Sequence, residues 1–153
     1  MNKDIFASAE RNLAMRMHSV HEMRTKLRKK YPENPQEIEK VIEYFLKNKI
    51  LDDTEFARTY LTHRQLQKPK STFVLQKELQ QKGIDPHIQK EVIAESIIDD
   101  EKSAKELAKR KMNSIRDNLD ISKKKDRMIR YLNSQGFSYE IIRKIVDEML
   151  TES

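Results

Sequence analysis

Two adjacent carboxylate pairs, Asp52-Asp53 and Asp99-Asp100, are the first residues in this chain that could do acid/base chemistry. An aspartate dyad serves that purpose when an enclosed site keeps one member protonated against the other. Here each pair opens a stretch of helical character, "DDTEFARTYL" and "DDEKSAKEL". An aspartate in such a place accepts from unbonded backbone N–H groups and meets the positive end of the helix, so the pairs are expected to be caps, with Asp53 the cap of its helix. The histidines, His18, His21, His63 and His87, form no HExxH pattern and have no thiolate to share a metal with, because the chain lacks cysteine. They are expected to be surface or helix-end residues, and no metal site is expected. Two glycines cannot build a Walker loop or a dinucleotide fingerprint, and no GxSxG elbow is present. Neither catalysis nor a cofactor is expected.

The chemistry that the sequence does offer is anion binding. The net charge is +6, and it is concentrated. Residues 19–30 hold five cations, Arg24, Lys26, Arg28, Lys29 and Lys30, against one acid, and residues 122–134 hold five more, Lys123, Lys124, Lys125, Arg127 and Arg130, again against one. Residues 71–82 carry only Lys77 and Lys82 against Glu78, while the segments 31–52, 83–98 and 135–153 are each −2. For one helix alone, such a run is most simply a solvated face. Two at corresponding places in a repeat argue for a binding surface, with nucleic acid or an acidic protein as partner. About five contacts to single-stranded phosphates would cost roughly a hundredfold in affinity between about 50 and 200 mM salt. The five tyrosines and five phenylalanines fall mostly at core spacing rather than as a base-stacking platform.

These clusters must be positioned by helices, because apolar residues recur at helical spacing and almost nothing alternates with period two. Nine helices are expected, an all-α fold. The first, about 4–17, turns Ile5, Phe6, Ala9 and Leu13 inward. Ser19 and Glu22 form a capping box for the second, which carries Val20, Met23 and Leu27 and stops near Tyr31-Pro32. Asn34, Pro35 and Glu37 start the third as a second box, with Ile38, Val41, Ile42, Phe45 and Leu46 buried. The fourth presents Phe56, Ala57, Tyr60 and Leu61, the fifth begins after Ser71, the sixth after Asp85-Pro86, and the seventh carries Ala104, Leu107 and Ala108. Ser122 is expected to cap the eighth, with Met128, Ile129 and Leu132 inward, and Ser138 the ninth.

Aligned without gaps, "LQQKGIDPHIQKEV" and "LNSQGFSYEIIRKI" pair Leu79 with Leu132, Gly83 with Gly136 and Val92 with Ile145. In both, glycine sits four residues past a leucine, where a helix-ending left-handed residue belongs. "LRKKYPENPQEIEKVI" fits the same frame with a two-residue insertion, Leu27 leading and Tyr31-Pro32 standing where the others have glycine. The first helices of the units match less well, sharing a Leu/Phe-Ala pair at Leu13-Ala14, Phe56-Ala57 and Leu107-Ala108. The chain reads as three tandem three-helix repeats, 1–50, 51–98 and 99–153, stacked into an elongated, curved array in which each unit buries its apolar stripe against the next. No apolar run is long enough to cross a membrane, and a soluble cytoplasmic monomer is expected.

The phrases "HSVHEMRTKL" (18–27), "LDDTEFARTYLTHR" (51–64), "KELQQKGIDPHI" (77–88) and "LNSQGFSYEIIRKIVDEML" (132–150), in this order across nearly the whole chain, resemble the bacterial RecX regulatory family. The resemblance implies a partner, the RecA recombinase filament on single-stranded DNA, touched directly or through the filament. It implies a role in DNA repair, recombination and the SOS response as a modulator, usually an inhibitor, of RecA ATP turnover, strand exchange and co-protease activity. No catalytic residue comes with it. A helix-turn-helix DNA-binding protein acting without RecA is the alternative, and the ten cations named above are the candidate contacts in either case.

Overall fold

The computed structural model describes residues 1–115 and 117–150; Arg116 and residues 151–153, which belong to the expected third repeat, lie outside the described residues. Among the described residues there are nine α-helices and no strand: α1 (Lys3–Met15), α2 (Val20–Lys30), α3 (Pro35–Lys47), α4 (Asp53–Leu66), α5 (Thr72–Gln81), α6 (Pro86–Glu95), α7 (Asp100–Met112), α8 (Ile121–Ser134) and α9 (Tyr139–Leu150). They fall into two compact units, Met1–Tyr60 with Glu78–Val92, and Leu61–Lys77 with Ile93–Ser153.

The first unit is built on α1, α2 and α3, whose apolar stripes close on one another. Ile5, Ala9, Met23, Leu27, Ile38, Val41, Ile42, Phe45 and Leu51 form its core, with Phe6, Leu13, Val20 and Tyr31 packed against it. Phe6 sits edge-on to Phe45 with ring centroids 5.1 Å apart, which fixes where α1 crosses α3. The core of the second unit comes from α7, α8 and α9 and includes Ala104, Leu107, Ala108, Met128, Leu132, Phe137, Ile142 and Ile145. Buried alanines on α7 let the neighbouring helices approach closely, while the leucines and isoleucines fill the space between them.

Each unit contains one joint between successive repeats, and the two joints have the same chemistry. In the first unit the Ser19 hydroxyl donates to the Lys82 carbonyl at 2.6 Å, and the Val20 N–H donates to the Asp53 carboxylate at 2.9 Å. In the second the Ser71 hydroxyl donates to the Gln135 carbonyl at 2.8 Å, and the Thr72 N–H donates to Asp100 at 2.8 Å. The same serine oxygens accept from the Glu22 and Val74 N–H groups, so each serine caps its own helix and grips the neighbouring repeat at once.

The glycines lie at these joints. Gly83 and Gly136 are left-handed, with φ +76° and +87°, as the helix-ending role requires. They also meet the neighbour's helix: a Cβ on Gly83 would overlap the His21 side chain, and one on Gly136 would lie 2.7 Å from Ser71 Oγ and 3.0 Å from Val74 Cγ2. The first repeat's turn takes another route. Tyr31 folds back on α1, its hydroxyl 2.8 Å from Ser8 Oγ, and the turn packs inside its own repeat.

Several sequence expectations are corrected. Asp53 does not cap α4. Asp52 does, accepting from the Thr54 and Glu55 N–H groups, which releases Asp53 for the joint. Asp99 and Asp100 divide the work in the same way, Asp99 capping α7. Asn34 makes no side-chain cap, so the second capping box is absent, and Glu37 pairs with Lys40 instead. Asp120 rather than Ser122 caps α8. Leu46 and Ile129 are exposed rather than inward, being 41% and 40% accessible at the edges of their stripes. Ala14 is exposed too, and the recurring first-helix residue is a single buried alanine, Ala57 or Ala104, four residues after the joint aspartate. Of the two places expected for the histidines, surface or helix end, His18 takes the second, buried just before the cap of α2.

Candidate functional site

The capping box that starts α2 sets its last two turns so that Arg24, Lys26, Arg28, Lys29 and Lys30 stand off the buried Met23 and Leu27 stripe, but most of these cations already have partners. Arg24 makes a two-pronged contact with Glu39 of α3, Nε and Nη2 each 2.9 Å from a carboxylate oxygen, and Arg28 stands 3.7 Å from the same carboxylate. Hydrogen bonds from Arg24 hold the Glu39 carboxyl below its usual range, against the opposing effect of burial. Lys26 Nζ donates to His18 Nε2 at 2.7 Å, which leaves Nδ1 to donate to the Arg16 carbonyl at 3.0 Å. Burial pushes the His18 pKa down; the Arg16 carbonyl opposes it, and the charges of Arg16 and Lys26 add to the lowering. Lys30 Nζ reaches Ser8 Oγ at 3.1 Å and lies 5.6 Å from the Tyr31 ring centre. Of the five, Lys29 alone makes no side-chain contact of this kind among the described residues.

The second cluster is arranged differently. Counted back from the matched leucines, Lys124 of α8 stands where α2 has Ser19 and α5 has Ser71. Because Asp120 caps α8, the helix starts about a turn earlier, and residues that are caps and joints elsewhere are here helical and basic. Lys123, Lys124, Lys125, Arg127 and Arg130 form no ion pair among the described residues. Lys123, Arg127 and Arg130 are exposed, and Lys124 and Lys125 half-buried. With Met128 and Leu132 buried on its inner face, α8 presents an outer face with five cations and one acid, Asp126, and none of the five is ion-paired among the described residues.

Counting charge helix by helix misses two more cations in this unit. Lys68 and Lys111 converge on Tyr131 of α8, with their ammonium groups 5.6 and 5.0 Å from the ring centre. The visible signals are the short runs "KPK" at 68–70 and "KRK" at 109–111, which lie outside the counted segments. The joint residues were also missed, since a capping serine looks the same in sequence whether or not it grips a second helix.

The joint of the first unit carries an ionic latch. Glu22 Oε2 is 3.1 Å from Arg16 and 3.2 Å from Lys82. Burial alone would raise the Glu22 carboxyl, but hydrogen bonds from Arg16, the Ser19 N–H and Lys82 outweigh it and hold the pKa at about 2. At the other joint the matching residues are Val74 and Gln135, which are neutral. Among the described residues no group of three or more His, Cys, Asp or Glu side chains is placed to hold a metal ion, and no helix is long and apolar enough to cross a membrane.

Three family models match the chain in order: the first three-helix domain of RecX over residues 6–45, the second over 52–93 and the third over 99–146. The chain is similar to the regulatory protein RecX of Prosthecochloris aestuarii, with 34% identity over 91% of this chain and 89% of that one. It is similar also to the regulatory protein RecX of Serratia proteamaculans, with 32% identity over 93% of this chain and 95% of the relative. The crystal structure of RecX from Lactobacillus salivarius superposes with a TM-score of 0.83, covering 95% of this chain and 94% of that one at 22% identity, a likeness of fold.

Proposed function

The chain belongs to the RecX family of regulatory proteins, and on that premise we propose that it binds the RecA filament on single-stranded DNA and inhibits its ATP turnover, strand exchange and co-protease activity. The observation that carries the site assignment is the set of five cations on α8 that form no ion pair among the described residues. A cation already matched to a carboxylate gains little by meeting a second anion, because it must first give up the internal contact. Arg24 and Arg28 are in that position, and their first duty is to hold α2 to α3. The α8 cations have no such contact to give up among the described residues, so their charge is available to a filament surface or a phosphate backbone.

The division of labour follows from this. Repeats 1–50, 51–98 and 99–153 form the scaffold. Lys123, Lys124, Lys125, Arg127 and Arg130 are the principal contacts, Lys29 is a secondary one, and Arg24, Lys26, Arg28 and Lys30 contribute by holding α2 in place. The protein acts as a cytoplasmic monomer and uses no cofactor.

Charge reversal separates the two clusters. The triple substitution Lys123→Glu, Lys124→Glu and Arg127→Glu is expected to abolish binding to RecA filaments while leaving the unfolding midpoint nearly unchanged. Arg24→Glu with Arg28→Glu should lower the midpoint, because it sets two new acids against Glu39. If the α8 triple variant binds and inhibits filaments like the wild type, the assignment is wrong. Tight, sequence-specific duplex binding without RecA would favour the helix-turn-helix reading instead.

A further inference from the structure

We infer that Tyr131, Lys68 and Lys111 form a contact site for single-stranded nucleic acid in the second unit, with the lysines taking phosphates and the ring taking a base. The inference rests on the filament reading for its setting and goes further, since it has the protein touch the strand itself.

Two ammonium groups on one tyrosine make an unusual arrangement. They come from separate elements, Lys68 from the segment between α4 and α5 and Lys111 from the last turn of α7, and neither has an acidic partner among the described residues. Like charges gathered on one ring repel each other and favour the arrival of an anion. The ring is held in place: Tyr131 packs partly against the core formed by Met128, Leu132 and their neighbours. On the same helix Arg127 and Lys124 precede it by four and seven residues, which puts them on its face, and neither has an ion-pair partner among the described residues. The repeat architecture does not demand this residue, since the matching positions are Lys26 and Glu78.

The magnitudes favour an exchange of ligands on the ring. An exposed cation–π contact is worth about a two- to fivefold preference. Stacking of one base on an aromatic side chain is worth about five- to 150-fold in affinity, and each phosphate that a lysine neutralises adds a salt-dependent increment. A strand that moves the lysines from the ring onto its phosphates and lays a base in their place therefore gains on both counts. An acidic protein surface offers the lysines an anion and gives the ring nothing to stack. A duplex offers phosphates with its bases already stacked inside.

The test is the anisotropy of a short labelled oligothymidylate titrated with the full-length chain, without RecA, over a series of salt concentrations. Tyr131→Ala is expected to weaken binding about five- to 150-fold, while Tyr131→Phe stays within about threefold of wild type, since it keeps the π-face. Lys68→Gln and Lys111→Gln should each make the slope of log affinity against log salt shallower by about 0.7. A duplex of the same length should be insensitive to Tyr131→Ala. Unchanged oligothymidylate binding by Tyr131→Ala, or unchanged salt slopes in both lysine variants, would overturn the inference; the lysine variants keep the test decisive if Tyr131→Ala proves unstable. RecA ATPase measured alongside keeps the two claims apart. A wild-type protein without effect on RecA defeats the filament reading alone, and an inhibitory Tyr131→Ala variant with undiminished oligothymidylate affinity defeats this one alone.

Discussion

Replacing Gly83 by asparagine separates two reasons for having a glycine there. If the residue served only to end α5, asparagine would be nearly neutral, since it enters the left-handed region at little cost. The packing at the joint says otherwise. A Cβ at Gly83 overlaps the Cβ and Cγ of His21, and because the His21 Cβ is fixed to the α2 backbone, no rotamer change removes the clash. Relief requires the two helices to separate, which for an overpacked contact costs about 1–3 kcal/mol. It also stretches the Ser19 bond to the Lys82 carbonyl and the Val20 bond to Asp53. Gly83→Ala adds the left-handed penalty, about 1–2 kcal/mol, for a total of roughly 2–5 kcal/mol. Urea unfolding followed by far-ultraviolet circular dichroism reads both. A Gly83→Asn variant within about 0.5 kcal/mol of wild type would refute the close-approach argument and return the glycine to a turn role alone.

Other variants probe the joints and their charge. Ser71→Ala removes a helix cap and a bond to the Gln135 carbonyl together, so it should cost about 1–2 kcal/mol in urea unfolding, whereas Ser138→Ala, whose hydroxyl only accepts from Ile141 at 3.4 Å, should cost a few tenths. Equal losses would mean that the joint bond contributes nothing. Glu22 has a folded pKa of about 2, below its unfolded value of 4.5, so the unfolded chain takes up the proton first as the pH falls. Its contribution, about 1–2 kcal/mol after allowance for solvent screening, should be present above pH 4.5 and disappear as the pH falls through about 2, and Glu22→Gln should flatten that part of the stability curve. A variant with the wild-type acid profile would contradict the latch.

The helices were legible because their signals are local. Ser19 and Glu22 announce a capping box that the structure contains, and the spacing of Met23, Leu27, Ile38 and Val41 marks the buried stripes. The glycine echo at Gly83 and Gly136 fixed the frame of the repeats. The joints were not legible, because their partners are 28 to 64 residues apart and nothing in Ser71 or Asp100 says which carbonyl or N–H it will meet. Tyr31-Pro32 stands where the other repeats have glycine, and its turn packs within its own repeat, so the missing echo has a physical reason. Charge counting placed both basic clusters correctly on α2 and α8. It could not show that Glu39 and His18 occupy Arg24 and Lys26, while the α8 cations form no ion pair among the described residues, because that depends on which helices become neighbours.

The central claim concerns RecA, and its DNA-dependent ATP hydrolysis tests it most directly. Wild-type protein and the Lys123→Glu, Lys124→Glu, Arg127→Glu variant are added at substoichiometric amounts, before or after RecA assembles on single-stranded DNA. The wild type is expected to suppress hydrolysis in at least one order of addition, and the variant is expected not to. Hydrolysis unaffected by the wild type in both orders would contradict it.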